Sequence, residues 1–362
     1  MIVKNQILII AEAGVNHNGC LSTAFELADV AKACGADIVK FQLFNTDKLV
    51  SMNAPLAKYQ RKNLKQDLSQ HEMLKSLELT YDEHLELSNY CNSIGIEYLS
   101  TAFDEDCLEF LDKEINQKRF KIPSGEITNG LFLAKHAMLS KPLILSTGMA
   151  TLSEVEMAIA IITYVLKTGN LHADSVDHIM KEFVSNEIPP QLEKLVTLLH
   201  CSSEYPAPLD TVNLRSMKTL GAAFNLNYGY SDHTKGVEIA IAAASLGARV
   251  IEKHFTLDKT AKGPDHAASL NPDELKLMVS SIRNVENALG SSVKRPSFSE
   301  LDTAKLARKS LVAATDIKQG EILSTNNMAS IRPGTGISPM FIWDLIGKEV
   351  RRDYTAGEEI CE

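Results

Sequence analysis

Hydrophobic positions along this chain switch between two periods. Apolar runs of strand length recur at 7–11, 37–41, 97–100, 119–122, 143–146, 195–200, 226–230 and 249–253. Between most of them the apolar residues fall three and four apart, the spacing of one helix face. In 22–35 the stripe is Ala24, Leu27, Ala28, Ala31 and Cys34, and similar stripes run over 81–94, 104–115, 152–166, 236–246 and 273–289. Gly35, Gly95 and Gly247 each stand between a helical stretch and the next strand. A glycine there can take the left-handed backbone that ends a helix and turns the chain back. Eight strands, each trailed by a helix, predict an α/β fold, a (β/α)8 TIM barrel over 1–290. An open doubly wound sheet is the alternative, but no G-x-G-x-x-G follows the first strand.

Two stretches break the alternation. Residues 43–80 form a long connection without a clean period, and 167–194 form a polar insertion before the sixth strand. After residue 290 the pattern changes. Pro, Ser and charges over 291–306 predict a linker, and β-branched runs with Gly320, Gly334, Gly336 and Gly357 predict a small β-rich domain over 307–362. One short helix is expected near 339–346. A unit of about 60 residues is marginal alone, so it is expected to lean on the barrel or on a neighbouring subunit.

Composition narrows the function. The 362 residues carry 37 Lys and Arg against 46 Asp and Glu, a net charge of −9. A general nucleic-acid binder would need the opposite excess. No apolar run approaches the roughly 18 residues of a membrane span, and the opening segment is too short for a signal peptide. The six cysteines are scattered without a C-x-x-C pair, which predicts free thiols and a cytoplasmic protein.

In such a barrel, chemistry gathers where the C-terminal ends of the strands meet. Every expected strand end carries a reactive or polar group. They are Glu12; Lys40 and Gln42; Ser100 and Thr101; Lys121, Ser124 and Glu126; Ser146 and Thr147; His200, Ser202, Ser203 and Tyr205; Ser231, Asp232 and His233; and Glu252, Lys253 and His254. Burying such groups without partners costs about 1–3 kcal/mol each, so a ring of them predicts a wet, working cavity. His233 and His254 end adjacent strands, where two neutral imidazoles can share one divalent ion of the Mn2+, Fe2+ or Zn2+ type. Lys40 and Lys121, amid the hydroxyls of Thr101, Ser124, Ser146 and Ser231, make a cradle for phosphate or carboxylate. Glu12 and Glu126 are candidates for proton transfer or hydroxyl binding. An aldolase using Lys121 or Lys253 as a Schiff base would keep the barrel and change the chemistry.

Eight motifs in order resemble the sialic acid synthase family: IAEAGVNHNG at 10–19, VKFQ at 39–42, KIPSGEITN at 121–129, STGMAT at 146–151, HCSSEYPAP at 200–208, GYSDHT at 229–234, EKHFTLDK at 252–259 and GPDHAAS at 263–269. The tail, with KSLVAATDIKQGEIL and RPGTGISP, resembles that family's antifreeze-like (SAF) domain. The resemblance implies condensation of phosphoenolpyruvate with an N-acetylated amino sugar and release of phosphate. N-acetylmannosamine is the expected acceptor, giving N-acetylneuraminate, with a 2,4-diacetamido-6-deoxy sugar, giving legionaminate, as the alternative. It implies a divalent metal, typically Mn2+, on His233 and His254, and places Lys40, Thr101, Lys121, Ser124, Ser146 and Ser231 around phosphoenolpyruvate. Glu12, Gln42, Glu126, Tyr205 and Asp265 fall at the sugar and the reacting centre. Arg332 would hold the N-acetyl group in the partner's barrel of a domain-swapped homodimer. Ser203 departs from the Asn or Thr often found at that phosphoenolpyruvate contact, and the 167–194 insertion is longer than expected.

Overall fold

The computed structural model describes residues 6–64, 68–185, 189 and 191–362. The first five residues, 65–67 of the long connection, and 186–188 and 190 of the polar insertion fall outside it. The chain forms two compact units, 1–290 and 291–362.

In the first unit eight parallel strands close into a barrel in sequential order: β1 Leu8–Gly14, β2 Ile38–Leu43, β3 Glu97–Ala102, β4 Phe120–Ile122, β5 Leu143–Ser146, β6 Val196–Cys201, β7 Asn227–Asp232 and β8 Val250–His254. The helices are α1 Leu21–Ala33, α2 Thr46–Leu49, α3 Lys58–Leu64, α4 Gln70–Lys75, α5 Tyr81–Ile94, α6 Glu105–Lys113, α7 Gly130–Met138, α8 Leu152–Thr168, α9 Val176–Ser185, α10 Leu192–Leu195, α11 Ser216–Phe224, α12 Glu238–Ser245 and α13 Pro272–Leu289. Gly95 ends α5 in the left-handed region at φ 75°, its N–H returned to Asn92 and Cys91. Outside the two unpatterned stretches and the single turn of α10 that closes the second, the helices without a counterpart among the expected stripes are α7 and α11. Both span nine residues, and α11 is broken in pattern by Gly221, where a Cβ would lie 2.1 Å from the Tyr228 ring.

The unpatterned connection 43–80 holds three short helices, α2 to α4, the last opened by a Ser69/Glu72 capping box. In the polar insertion, α9 packs on α8, with the Tyr164 and His178 rings edge to face at 5.7 Å.

Strand alternation sets up the interior. Ile10, Ile38, Leu99, Ile144, Leu199 and Val250 form a separate apolar layer inside the barrel. Two residues further along the same strands come Glu12, Lys40, Thr101, Ser146, Cys201 and Glu252. The odd positions between them, such as Ala11, Val39, Leu145 and Ile251, join the outer core against the helices. The barrel thus has a dry floor and, one alternation higher, a polar ring.

In the second unit, β9 Ser310–Ala313 pairs antiparallel with β10 Met328–Ile331. Its core includes Leu311, Ile317, Leu323, Leu345, Val350, Tyr354 and Ile360. The stretch expected as a linker is not irregular throughout: α14 Phe298–Ala307 runs through its second half from a Ser297/Glu300 capping box. The short helix expected near 339–346 is α15 Ile342–Leu345, led by a single 3-10 turn. No helix among the described residues is long and apolar enough to cross a membrane, and all six cysteines are unpaired.

Two predictions follow from this packing. A Cβ on Gly229 would sit 2.3 Å from the Val250 carbonyl oxygen and 2.7 Å from Leu199 Cδ2. Gly229→Ala should therefore lose about 1–3 kcal/mol by urea unfolding, and an unchanged midpoint would refute the layer packing. His136 Nδ1 donates to the Phe132 carbonyl at 2.8 Å, while its other nitrogen is buried without a partner. Burial pulls its pKa down from 6.5 to about 4. Below pH 6.5 the unfolded chain takes up this proton and the folded chain does not until about 4. Stability is full above that window and declines as pH falls through it. His136→Gln should show a shallower loss of urea stability between roughly pH 7.5 and pH 5.

Candidate active site

The polar ring opens at the C-terminal ends of the strands into a cavity of about 440 Å3. Strand register decides who meets whom. Glu12 pairs with Lys40 across β1 and β2, and with His254 across β1 and β8. Thr101 lies beside Gln42 on one side and Lys121 on the other, and Ser231 pairs with Glu252.

Four buried charges form one network. Lys40 Nζ lies 2.9 Å from Glu12 and 3.5 Å from Glu252, and Lys121 Nζ lies 3.3 Å from the other Glu252 oxygen. Lys40 also donates to Thr101 Oγ1 at 3.3 Å, Ser231 donates to Glu252 at 2.8 Å, and Gln42 donates to Glu12 at 3.1 Å. Burial favours the neutral amine, but Glu12 and Glu252 outweigh it and hold the Lys40 ammonium above its usual pKa. Burial pulls Lys121 below its usual value against the attraction of Glu252. Burial pushes Glu12 up, opposed by Lys40. Glu252 stays ionised despite its burial because two lysines face it.

The two imidazoles stand beside this network, ring centroids 5.5 Å apart. His233 Nδ1 donates to the Ser202 carbonyl at 2.5 Å, so its Nε2 presents a lone pair. His254 Nδ1 is buried without a hydrogen-bond partner. Burial drives His233 down to about 4 and His254 well below its usual value, so both are neutral near pH 7. Two neutral imidazoles, one with an orphaned nitrogen, suit a divalent cation. Gly14 leaves the space: its missing Cβ would lie 3.3 Å from Gln42 and Glu12 and 3.5 Å from His254. Among the described residues, no cluster of three or more His, Cys, Asp or Glu side chains makes a closed metal site. Any ion here would complete its shell from water or substrate.

Of the residues singled out from sequence, Glu12, Lys40, Gln42, Thr101, Lys121, Ser124, Ser203, Tyr205, Ser231, His233, His254 and Asp265 line this one cavity. Burial, with Glu12 nearby, pushes Asp265 up to about 7, and its Oδ1 is buried without a partner. Three residues are placed otherwise. Glu126 sits on a 3-10 turn, accepts from Asn129 Nδ2 at 2.8 Å, and is not part of the lining. Ser146 is buried at the end of β5 with an unpartnered hydroxyl and does not line the cavity. Arg332 is exposed in the second unit.

Alternation also separates neighbours that the sequence lists together. Lys253 and Asp232 occupy the outward positions, buried and paired at 2.8 Å, with Lys253 also donating to the Thr234 carbonyl. His200 is turned to the Val212 carbonyl at 2.7 Å. Glu252, the hub of the charge network, is visible from sequence only through strand parity. Tyr59 and Gln60 carry no periodic signal, yet both line the cavity. Tyr59 stacks on Tyr205 at 5.0 Å, and Tyr205 lies over His233 at 4.1 Å.

Comparisons with known proteins identify the family of this chain. Residues 27–294 match the NeuB family and 308–360 match the SAF domain. The N,N'-diacetyllegionaminic acid synthase of Campylobacter jejuni is 46% identical over 98% of this chain and 99% of its own length. The enzyme of the same name from Legionella pneumophila is 46% identical over 96% of this chain and 92% of its own. Among solved structures, the N-acetylneuraminic acid synthetase of Leptospira borgpetersenii superposes with a TM-score of 0.66 at 31% identity, covering 83% of this chain and 90% of that one. Family match, barrel and SAF tail together make this chain a member of the NeuB family of nonulosonic acid synthases.

Proposed function

We propose that this enzyme condenses phosphoenolpyruvate with an N-acetylated amino-sugar aldehyde and releases phosphate, giving a nine-carbon 2-keto-3-deoxy acid. One observation carries the proposal: in a NeuB-family barrel, two buried lysines and two neutral imidazoles open into the same cavity. The two relatives at 46% identity favour a 2,4-diacetamido-6-deoxy acceptor over N-acetylmannosamine, and so legionaminate over N-acetylneuraminate as product. The six unpaired cysteines fit work in the reducing cytoplasm.

His233 and His254 would hold a divalent cation, which we take to be Mn2+, and when bound it would supply Lewis acidity toward the aldehyde oxygen. Lys40 and Lys121, with the hydroxyls of Thr101, Ser124, Ser203 and Ser231, hold the phosphate and carboxylate of phosphoenolpyruvate. Gln42, Tyr205 and Asp265 position the sugar. Attack then occurs within a fixed pair, with most of the association entropy already removed. The enol carbon bonds to the aldehyde carbon, whose oxygen takes the former carbonyl pair and a proton to become a hydroxyl, and an oxocarbenium centre is left beside the phosphate oxygen. Glu12 is placed to steady that cation and to take the proton of the water that adds to it. The carbon–oxygen bond to phosphate then breaks as the added hydroxyl becomes the keto oxygen, and its proton leaves with the phosphate. Glu126, engaged with Asn129, is given no step. Arg332 of the partner subunit would grip the N-acetyl group in a domain-swapped homodimer.

The test is phosphate release. It should need both substrates, vanish with a chelator, and return with Mn2+. His233→Ala should abolish it while leaving the fold intact by circular dichroism. Release from phosphoenolpyruvate alone, or full activity in the variant, would contradict the proposal. Arg332→Ala should raise the sugar KM at least roughly tenfold and leave the phosphoenolpyruvate KM nearly unchanged. An unchanged sugar KM would remove the second unit from the site.

A further inference from the structure

The chemistry above uses one side of the cavity. Its other side is built by the long connection between β2 and α5, which the sequence left without a pattern. That side is mainly apolar: Tyr59, Met73, Leu74 and Leu77 from the connection stand with Val15 and Phe103, and the two amides among them are Gln60, which accepts from the Ala57 N–H at 2.9 Å, and Gln70. It is a fixed wall. Val15, Met73 and Leu77 belong to a small core with Phe44 and Leu56, against which Leu74 and Phe103 pack. Helix α3 is pinned at two points, by the Tyr59–Tyr205 stack and by Asn63 Nδ2, which donates to the Pro264 carbonyl at 2.6 Å. These contacts tie α3 to the loops that follow β6 and β8.

A cavity with one charged wall and one apolar wall fits a pair of substrates of matching character. The charged wall suits the anion. We propose that the apolar wall, with Tyr59 at its edge, selects the acceptor, receiving the methyl groups of a 6-deoxy sugar that carries two acetamido groups. This deepens the functional reading above and rests on it. N-acetylmannosamine offers hydroxyls where that sugar offers a 6-methyl and a second acetamido methyl. Those hydroxyls would lose water where they meet Met73, Leu74 and Leu77, which return no hydrogen bond. A hydrophobic wall discriminates only modestly against an added hydroxyl, which bounds the expected preference at roughly ten- to a hundredfold.

The experiment compares kcat/KM for the two sugars, by phosphate release, in the wild-type enzyme and in Tyr59→Phe, Tyr59→Ser and Leu74→Asn. Tyr59 and Leu74 are only partly buried, and the phosphoenolpyruvate KM reports whether each variant remains a competent enzyme. The wild type should prefer the doubly acylated deoxy sugar. Tyr59→Ser and Leu74→Asn should shrink that preference about tenfold by raising this sugar's KM, with the phosphoenolpyruvate KM kept within about twofold. Tyr59→Phe, which keeps the ring and its stack on Tyr205, should keep the wild-type ratio of the two sugars' kcat/KM. An unchanged preference in both polar variants, or an equal rise of both substrates' KM values, would overturn the proposal while leaving the functional reading intact. Phosphate release from neither sugar in the wild type would overturn the functional reading, and this proposal with it.

Discussion

Lys40, Lys121, Glu12 and Glu252 share one buried network directly above an apolar floor, and the site is arranged around them. An uncompensated charge at that depth costs several kcal/mol, so neither lysine could persist there alone. Two carboxylates balance two ammoniums, and Thr101, Ser231 and Gln42 take up further hydrogen-bonding capacity. The network holds the lysine heads in place before any ligand arrives. An anion that enters meets cations already oriented and already largely dehydrated, which is the condition under which electrostatic positioning is strong.

The barrel makes this possible through strand parity. One alternation along each strand, roughly 6–7 Å, separates the dry layer from the charged ring. The same rule sends Lys253 and Asp232 outward into a structural pair, although each is adjacent in sequence to a cavity residue. A Schiff-base role for Lys253 therefore has no geometric support, since its ammonium is engaged by Asp232 and Thr234 on the outer side.

The barrel and most of its polar ring were legible in the sequence because both obey periods. Strand runs, helix stripes and glycine caps fix the closed sheet, and the residues at strand ends then fall into one rim. Legibility fails where the period fails. Glu126 shares a motif with Lys121 and Ser124, but the 3-10 turn that follows β4 rotates its carboxylate to Asn129. Tyr59 and its wall lie in short helices whose positions depend on a stack and a backbone hydrogen bond to distant loops, contacts that no local pattern encodes. In the second unit, the apparent linker contains a helix whose capping box, Ser297 with Glu300, was hidden beside Pro296 among serines.

The central claim is that the paired lysines form a preorganised anion cradle. Calorimetric titration of phosphoenolpyruvate into wild-type enzyme and Lys121→Gln, with thermal unfolding as the check on folding, tests it most directly. The account predicts binding by the wild type and a loss of at least roughly a hundredfold in the variant. Equal affinity in a variant as well folded as the wild type would contradict it.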